Sequence, residues 1–178
     1  MPITPAYFLG LELSYLAATV NASECWRALV AQPEYELAAL FTLATAATSS
    51  AANGLAAIHK GTVDAVTYPH CQVDHLPDGL LQRDDAGGWS GQRMFVVEFD
   101  VHIPTAYDDD LEEGQVWFNE VIGRILTEMS RASAADPAGL IDMQNVSLMY
   151  GVGEPDDDSD GRQHGVARIG ITANAEVF

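Results

Sequence analysis

The chain has 178 residues, 48% of them hydrophobic, and a formal net charge of −18 with Lys60 as its one lysine. That length and apolar share specify a folded domain with a real core, and exclude a disordered chain. No apolar run reaches the roughly 18 residues that cross a bilayer. So negative a surface also repels phosphate backbones and anionic membranes, which disfavours sequence-specific nucleic-acid binding.

The first stretch is apolar, but it carries Glu12 and neither Lys nor Arg. A secretory signal needs a basic start, so no export is expected. With Cys25 and Cys71 as the two cysteines, a disulfide framework is not expected either. Thr4-Pro5 has the form of an N-cap followed by proline at the first helical position. Phe8, Leu9, Leu13, Leu16 and Ala17 then recur at helical spacing. Asn21 and Glu24 match a capping box opening a short helix through Cys25, Trp26, Leu29 and Val30. Pro33 restarts a helix through Leu37, Leu40, Phe41 and Ala44. Thr48-Ser49-Ser50 and Asn53-Gly54 read as its end and cap. Residues 1–55 therefore form a helical segment, which either packs on a core built from residues 56–178 or reaches a neighbouring subunit as an arm.

Ile58 to Val66 is a weak strand diluted by His59, Gly61 and Asp64. Tyr68-Pro69 makes a bend, and His70 to Leu76 forms a second short strand. Pro77 to Gly91, rich in Gly, Asp and Pro, reads as a hairpin-type loop. The strongest signal follows. Phe95, Val97, Phe99, Val101 and Ile103 alternate with Met94, Val96, Glu98, Asp100 and His102, which is a strand with one face buried. Pro104 ends it.

The acids from Asp108 onward open a long helix, with Asp109 and Glu112, or Asp110 and Glu113, as N-cap and N3 acid. Leu111, Phe118, Ile122, Ile125, Leu126 and Met129 share one helical face. Arg124 and Arg131 lie toward the end, which suits the helix dipole. Asp136-Pro137 and Gly139 mark a loop over residues 132–140. Ile141 to Val152 is a strand with Val146, Leu148, Tyr150 and Val152 on one face. Glu154 to Gly165 is an acidic turn. Val166 to Phe178 closes the chain, with Ala167, Ile169, Ile171, Ala173, Ala175 and Val177 on one face and Arg168, Thr172, Asn174 and Glu176 on the other. Partly segregated strands and helices predict an α+β fold: a mainly antiparallel sheet of four to five strands packed by one long helix, with an N-terminal helical extension.

Chemistry-bearing patterns are sparse. Asp156, Asp158, Asp160 and Gly161 match the first half of a calcium loop, but its twelfth position is Ala167 where a bidentate Glu is required. A solvated hairpin tip accounts for them as well. His70, Cys71, Asp74 and His75 do not have zinc-ligand spacing; on a strand His70 and Asp74 share a face while His75 points the other way. No nucleophile elbow, phosphate loop, zinc-protease motif or paired C-x-x-C is present, so no catalytic residue and no cofactor is expected. The acids from Asp108 to Glu113 are better explained by their place at a helix start than by metal binding. Trp26, Trp89 and Trp117 read as core or interface anchors.

The order of elements resembles a family. A helical lead-in, short strands, the strand Arg93-Met94-Phe95-Val96-Val97-Glu98-Phe99-Asp100-Val101, the acid-started helix Asp109 to Arg131 and a two-stranded finish are similar to tail terminator, or tail completion, proteins of tailed bacteriophages. The resemblance covers roughly residues 56–178. It implies a non-enzymatic virion protein, assembled in the host cytoplasm, that forms a homo-oligomeric ring, usually a hexamer, at the head-proximal end of the tail. Such a ring ends tail-tube polymerisation and joins tail to head. The implied partners are other copies of the chain, the tail-tube protein and a head-completion or neck protein, with DNA passing through the lumen without specific binding and no membrane involved. Related neck and connector proteins use similar small sheets, so a neck adaptor is an alternative role, and a calcium-binding α+β interaction module is another. Interfaces favour aromatic and arginine anchors, which selects Trp89, Arg93, Tyr107 and Arg168 as candidate subunit contacts.

Overall fold

The computed structural model describes residues 5–31, 51–61, 67–83, 89–107, 109–135, 145–153 and 162–177. Helix α1 spans Pro5–Ala22, α2 spans Glu24–Ala31 and α3 spans Ala51–Ala56. Strands β1 (Ile58–Lys60), β2 (His70–Arg83) and β3 (Trp89–His102) follow, then a 3-10 turn at Thr105–Tyr107. Helix α4 spans Leu111–Ala135, and strands β4 (Asn145–Gly153) and β5 (His164–Val177) complete the described elements.

The five strands form one sheet in the order β1-β2-β3-β5-β4. β2, β3, β5 and β4 pair antiparallel, whereas β1 pairs parallel with β2 through Ile58 and Cys71. The α+β expectation therefore holds, with a parallel edge strand making the sheet mixed. The central strand lies where the alternation put it, but it is longer. It starts at Trp89, and β2 runs on to Arg83, with a register shift between Leu76 and Leu80. The expected loop over residues 77–91 is thus largely the two arms of a long hairpin. A bulge absorbs the Pro77 to Gly79 segment while backbone pairing resumes beyond it.

Burial explains the layering. Phe95, Val97, Phe99, Val101, Cys71, Val73, Ala167, Ile169 and Ile171 are all inaccessible to solvent and share one sheet face. Against that face pack Trp117, Phe118, Val121, Ile122, Ile125 and Met129 of α4, and Leu16, Val20, Trp26 and Leu29 of α1 and α2, in a single cluster. Of the expected α4 face, Leu111 is 44% exposed, because it stands at the first helical position ahead of the packed turns. Gly165 of β5 makes the approach of α4 possible. A Cβ there would stand 2.6 Å from Phe118 Cε2, inside van der Waals contact.

Caps set the helix ends. Asp110 is the N-cap of α4: the Glu113 amide donates to its Oδ1 at 3.0 Å. At α2 the cap is Ser23, not Asn21, because the Trp26 amide donates to Ser23 Oγ at 3.0 Å. Asn21 lies inside α1, which runs to Ala22. Asn53 and Gly54 lie inside α3 rather than ending a helix. There the Gly54 carbonyl accepts the Trp26 indole N–H at 3.0 Å, and Trp26 meets Phe99 edge-on at 5.5 Å. The expected helix from Pro33 through Ala44 and the Thr48-Ser49-Ser50 end lie outside the described residues.

A half-buried carboxylate ties α2 to α4. Glu128 Oε2 accepts from Ser23 Oγ at 2.7 Å and from the Cys25 amide at 2.9 Å, while its Oε1 accepts from Arg124 Nε at 2.9 Å. An anion at the N-terminus of α2 is also favoured by the helix dipole. Burial alone would raise the Glu128 carboxyl, but the donors from Cys25, Ser23 and Arg124 together hold it below its ordinary value.

Candidate functional site

With the helices all engaged on one face, the other face of the sheet is uncovered among the described residues. Alternation and register place on it Gln72 and Asp74 of β2, Met94, Val96, Glu98 and Asp100 of β3, Val166, Arg168 and Thr172 of β5, and Ser147 and Met149 of β4. Met149 is 72% and Val166 39% exposed. Across this face Arg168 Nε donates to Glu98 Oε2 at 2.6 Å. Such a pair, half in water, adds little stability and mainly sets the charge pattern of the surface.

One corner of the face is built differently. His102 pairs directly with His164 at the ends of β3 and β5, and His70 pairs with Asp100 one row away. Tyr68, just ahead of β2, stacks on the His102 ring with centroids 4.1 Å apart, and meets His164 at 4.9 Å and His70 at 5.4 Å. His102 and His164 are edge to face at 4.5 Å. His59 of β1 reaches His70 at 6.1 Å, and His164 Nδ1 lies 3.4 Å from Asp100 Oδ1. Three of the five histidines therefore meet one tyrosine, and a fourth, His59, reaches one of the three.

The described sequence-selected positions lie on separate elements. Arg168 is on the uncovered face, 59% exposed and paired with Glu98. Tyr107 is half-buried against the core just ahead of α4. Trp89 and Arg93 lie in β3, opposite Val177 and Ala173 of β5. Asp156, Asp158, Asp160 and Gly161 lie outside the described residues. The twelfth position of that pattern, Ala167, is buried under α4 in β5. His70 and Asp74 share the uncovered face, while Cys71 is in the core and His75 packs beside Phe95 on the opposite side. That division follows the alternation. Among the described residues no three His, Cys, Asp or Glu side chains are placed to hold an ion.

Both cysteines are free thiols in the core. Burial, then the Glu128 carboxylate, pushes Cys25 up to about 12 against an opposing pull from Arg124. Burial, then Glu98, pushes Cys71 well above its ordinary value. Neither is a thiolate nucleophile at neutral pH. Trp26 and Trp117 are buried core residues. The histidine corner is the feature that local sequence patterns miss. His59, His70, His102 and His164 meet only through cross-strand register, and the outward phase of His102 in its strand was the one available signal.

No helix among the described residues is long and apolar enough to cross a membrane. No known protein family matches the chain, and no curated protein matches it in sequence.

Proposed function

We propose that the chain is the subunit of a homo-oligomeric ring of structural type, of the kind that ends a bacteriophage tail tube and joins it to the head. The observation that carries this reading is the uncovered sheet face. Among the described residues, a five-stranded sheet is shielded by helices on one side and presents Met149 and Val166 to solvent on the other, beside the Arg168–Glu98 ion pair. An exposed face of this kind is a ready surface for another subunit. A ring needs a heterologous interface that closes on itself, and a sheet face meeting a different surface of the next copy is such an interface. The chain's charge of −18 suits a lumen past which DNA slides, since carboxylates repel the phosphate backbone.

The test is light scattering on the size-fractionated chain, alone and with a tail-tube protein. A discrete closed oligomer supports the reading. A monomer under both conditions overturns it. A neck adaptor shares the ring but engages head rather than tube proteins, so pull-down against each separates the two roles.

A further inference from the structure

Among the described residues, β1 and β4 are the two edges of the sheet, and they are unlike. β1 has 3 residues, ends in Lys60 and has α1 packed beside it. A very short strand and a lysine are devices that keep an edge from pairing with another chain. β4 has neither. It runs for 9 residues, Asn145–Gly153, without Asp, Glu, Lys, Arg or Pro, and its pairing with β5 has no bulge. Ser147 and Gly151 are exposed, and so are Leu148, at 36%, and Met149. Leu148 and Met149 point to opposite faces of the sheet. Met149 is on the uncovered face, whereas Leu148 is on the helix side, opposite the buried Ile169. Exposure on both faces at adjacent residues marks β4 as an open edge.

One hydrogen bond shows which backbone groups this edge offers. The Val152 amide donates to Gln115 Oε1 of α4 at 3.1 Å, so Val152 turns its backbone groups away from β5. In an antiparallel ladder the N–H and C=O of one residue point the same way, and successive residues alternate sides. Val146, Leu148 and Tyr150 therefore turn theirs outward as well. Gln115 closes the row at Val152, and the outward positions before it are symmetric about Leu148.

We propose that β4 pairs antiparallel with the β4 of a second copy of this chain, about a two-fold axis at Leu148. Leu148 then faces the partner subunit's Leu148, Val146 faces the partner subunit's Tyr150, and each exchanges backbone bonds with its opposite residue. Charge and symmetry both select a second copy as the occupant. At a net charge of −18, two copies approaching through their acidic surfaces repel, whereas β4 brings no charge to the contact. A two-fold contact also requires a patch complementary to itself. The row centred on Leu148 is one: leucine meets leucine on the helix side, and Ser147 meets the partner subunit's Met149 on the uncovered side. The contact does not rest on ring closure, and its test reads position in the chain rather than the number of copies.

The test is disulfide capture. Residues facing each other in a hydrogen-bonded antiparallel pair have Cα atoms about 5.5 Å apart, within reach of a disulfide, and the native Cys25 and Cys71 are buried. L148C under mild oxidation is expected to give a covalent dimer on a non-reducing gel. V116C, exposed on α4 away from the edge, is expected to give none. Leu148→Pro tests the backbone bonds. Proline is tolerated on an edge strand where the N–H faces outward, but it removes a donor at the axis, so association by sedimentation should weaken about ten-fold or more. If L148P does not fold, L148K places a charge at the axis and is expected to weaken association likewise. L148C that yields no more dimer than V116C, or folded L148P or L148K that associates as wild type does, overturns the contact. So does amide protection of segment 145–153 that appears with an added tail-tube protein and not with rising concentration of the chain itself. A ring that persists in the Leu148 variants leaves the ring reading standing while removing only this contact if L148C also fails to link.

Discussion

The link between α2 and α4 through Glu128 gives the most quantitative prediction. Glu128→Gln keeps the shape but removes the charge, and it turns an amide toward Arg124 or toward the Ser23 and Cys25 donors. Hydrogen bonds to a charged group contribute about 1.5–3 kcal/mol each, and a lost helix cap costs about 1 kcal/mol. The Glu128 side chain is 17% exposed, so screening by water is partial. Gln retains some of the bonding, which places the expected loss at about 2–3 kcal/mol at pH 7. For a domain of this size that lowers the unfolding midpoint by roughly 4–12 °C. The pH response is the sharper test. The folded Glu128 carboxyl lies below its ordinary value of 4.5, so its stabilisation is present above that value and is lost as pH falls through the folded one. Denaturant melts of wild type and E128Q should therefore differ at pH 7 and converge as pH falls below 4.5 and through the folded value. A difference below about 0.5 kcal/mol at pH 7, or one that persists undiminished in acid, would refute the reasoning.

Further outcomes follow from packing and charge. Gly165→Ala forces a methyl onto the Phe118 ring and should cost about 1–3 kcal/mol, measured by chemical denaturation. Met149→Asp, at an exposed position opposite Arg168, should leave subunit stability within about 0.5 kcal/mol. If the uncovered face is the assembly surface, the same change should weaken association at least ten-fold by sedimentation. Because like charges oppose assembly of so acidic a chain, raising salt from about 0.05 to 0.5 M should strengthen association by screening; weakening would point to ion pairs as the main contacts.

How far the sequence carried can be argued from particular residues. The strand through Phe95 and Phe99 and the helix through Phe118 and Ile122 were legible because their burial periods, two and three to four, are imposed by backbone geometry. The length of the β2–β3 hairpin was not. Pro77, Gly79, Gly87 and Gly91 carry turn chemistry, yet pairing on both sides of a bulge depends on the partner strand and not on local preference. The α2 cap was misplaced because Asn21 and Glu24 have capping-box spacing, while α1 uses Asn21 for its own last turn. Leu111 fitted the periodicity but precedes the packed part of α4. The histidine corner needed four separated segments brought into register, which no window of sequence contains. The phase of β3 that carries Glu98, Asp100 and His102 away from the core was legible from alternation, but alternation does not say which residues would meet a partner.

The central claim is that copies of this subunit close into a ring. Sedimentation velocity across a hundred-fold concentration range, alone and with a tail-tube protein, tests it most directly. The account predicts one discrete species of several subunits, six by resemblance to tail terminators, that does not grow further with concentration. A monomer throughout in both samples, or open-ended growth into filaments, would contradict it.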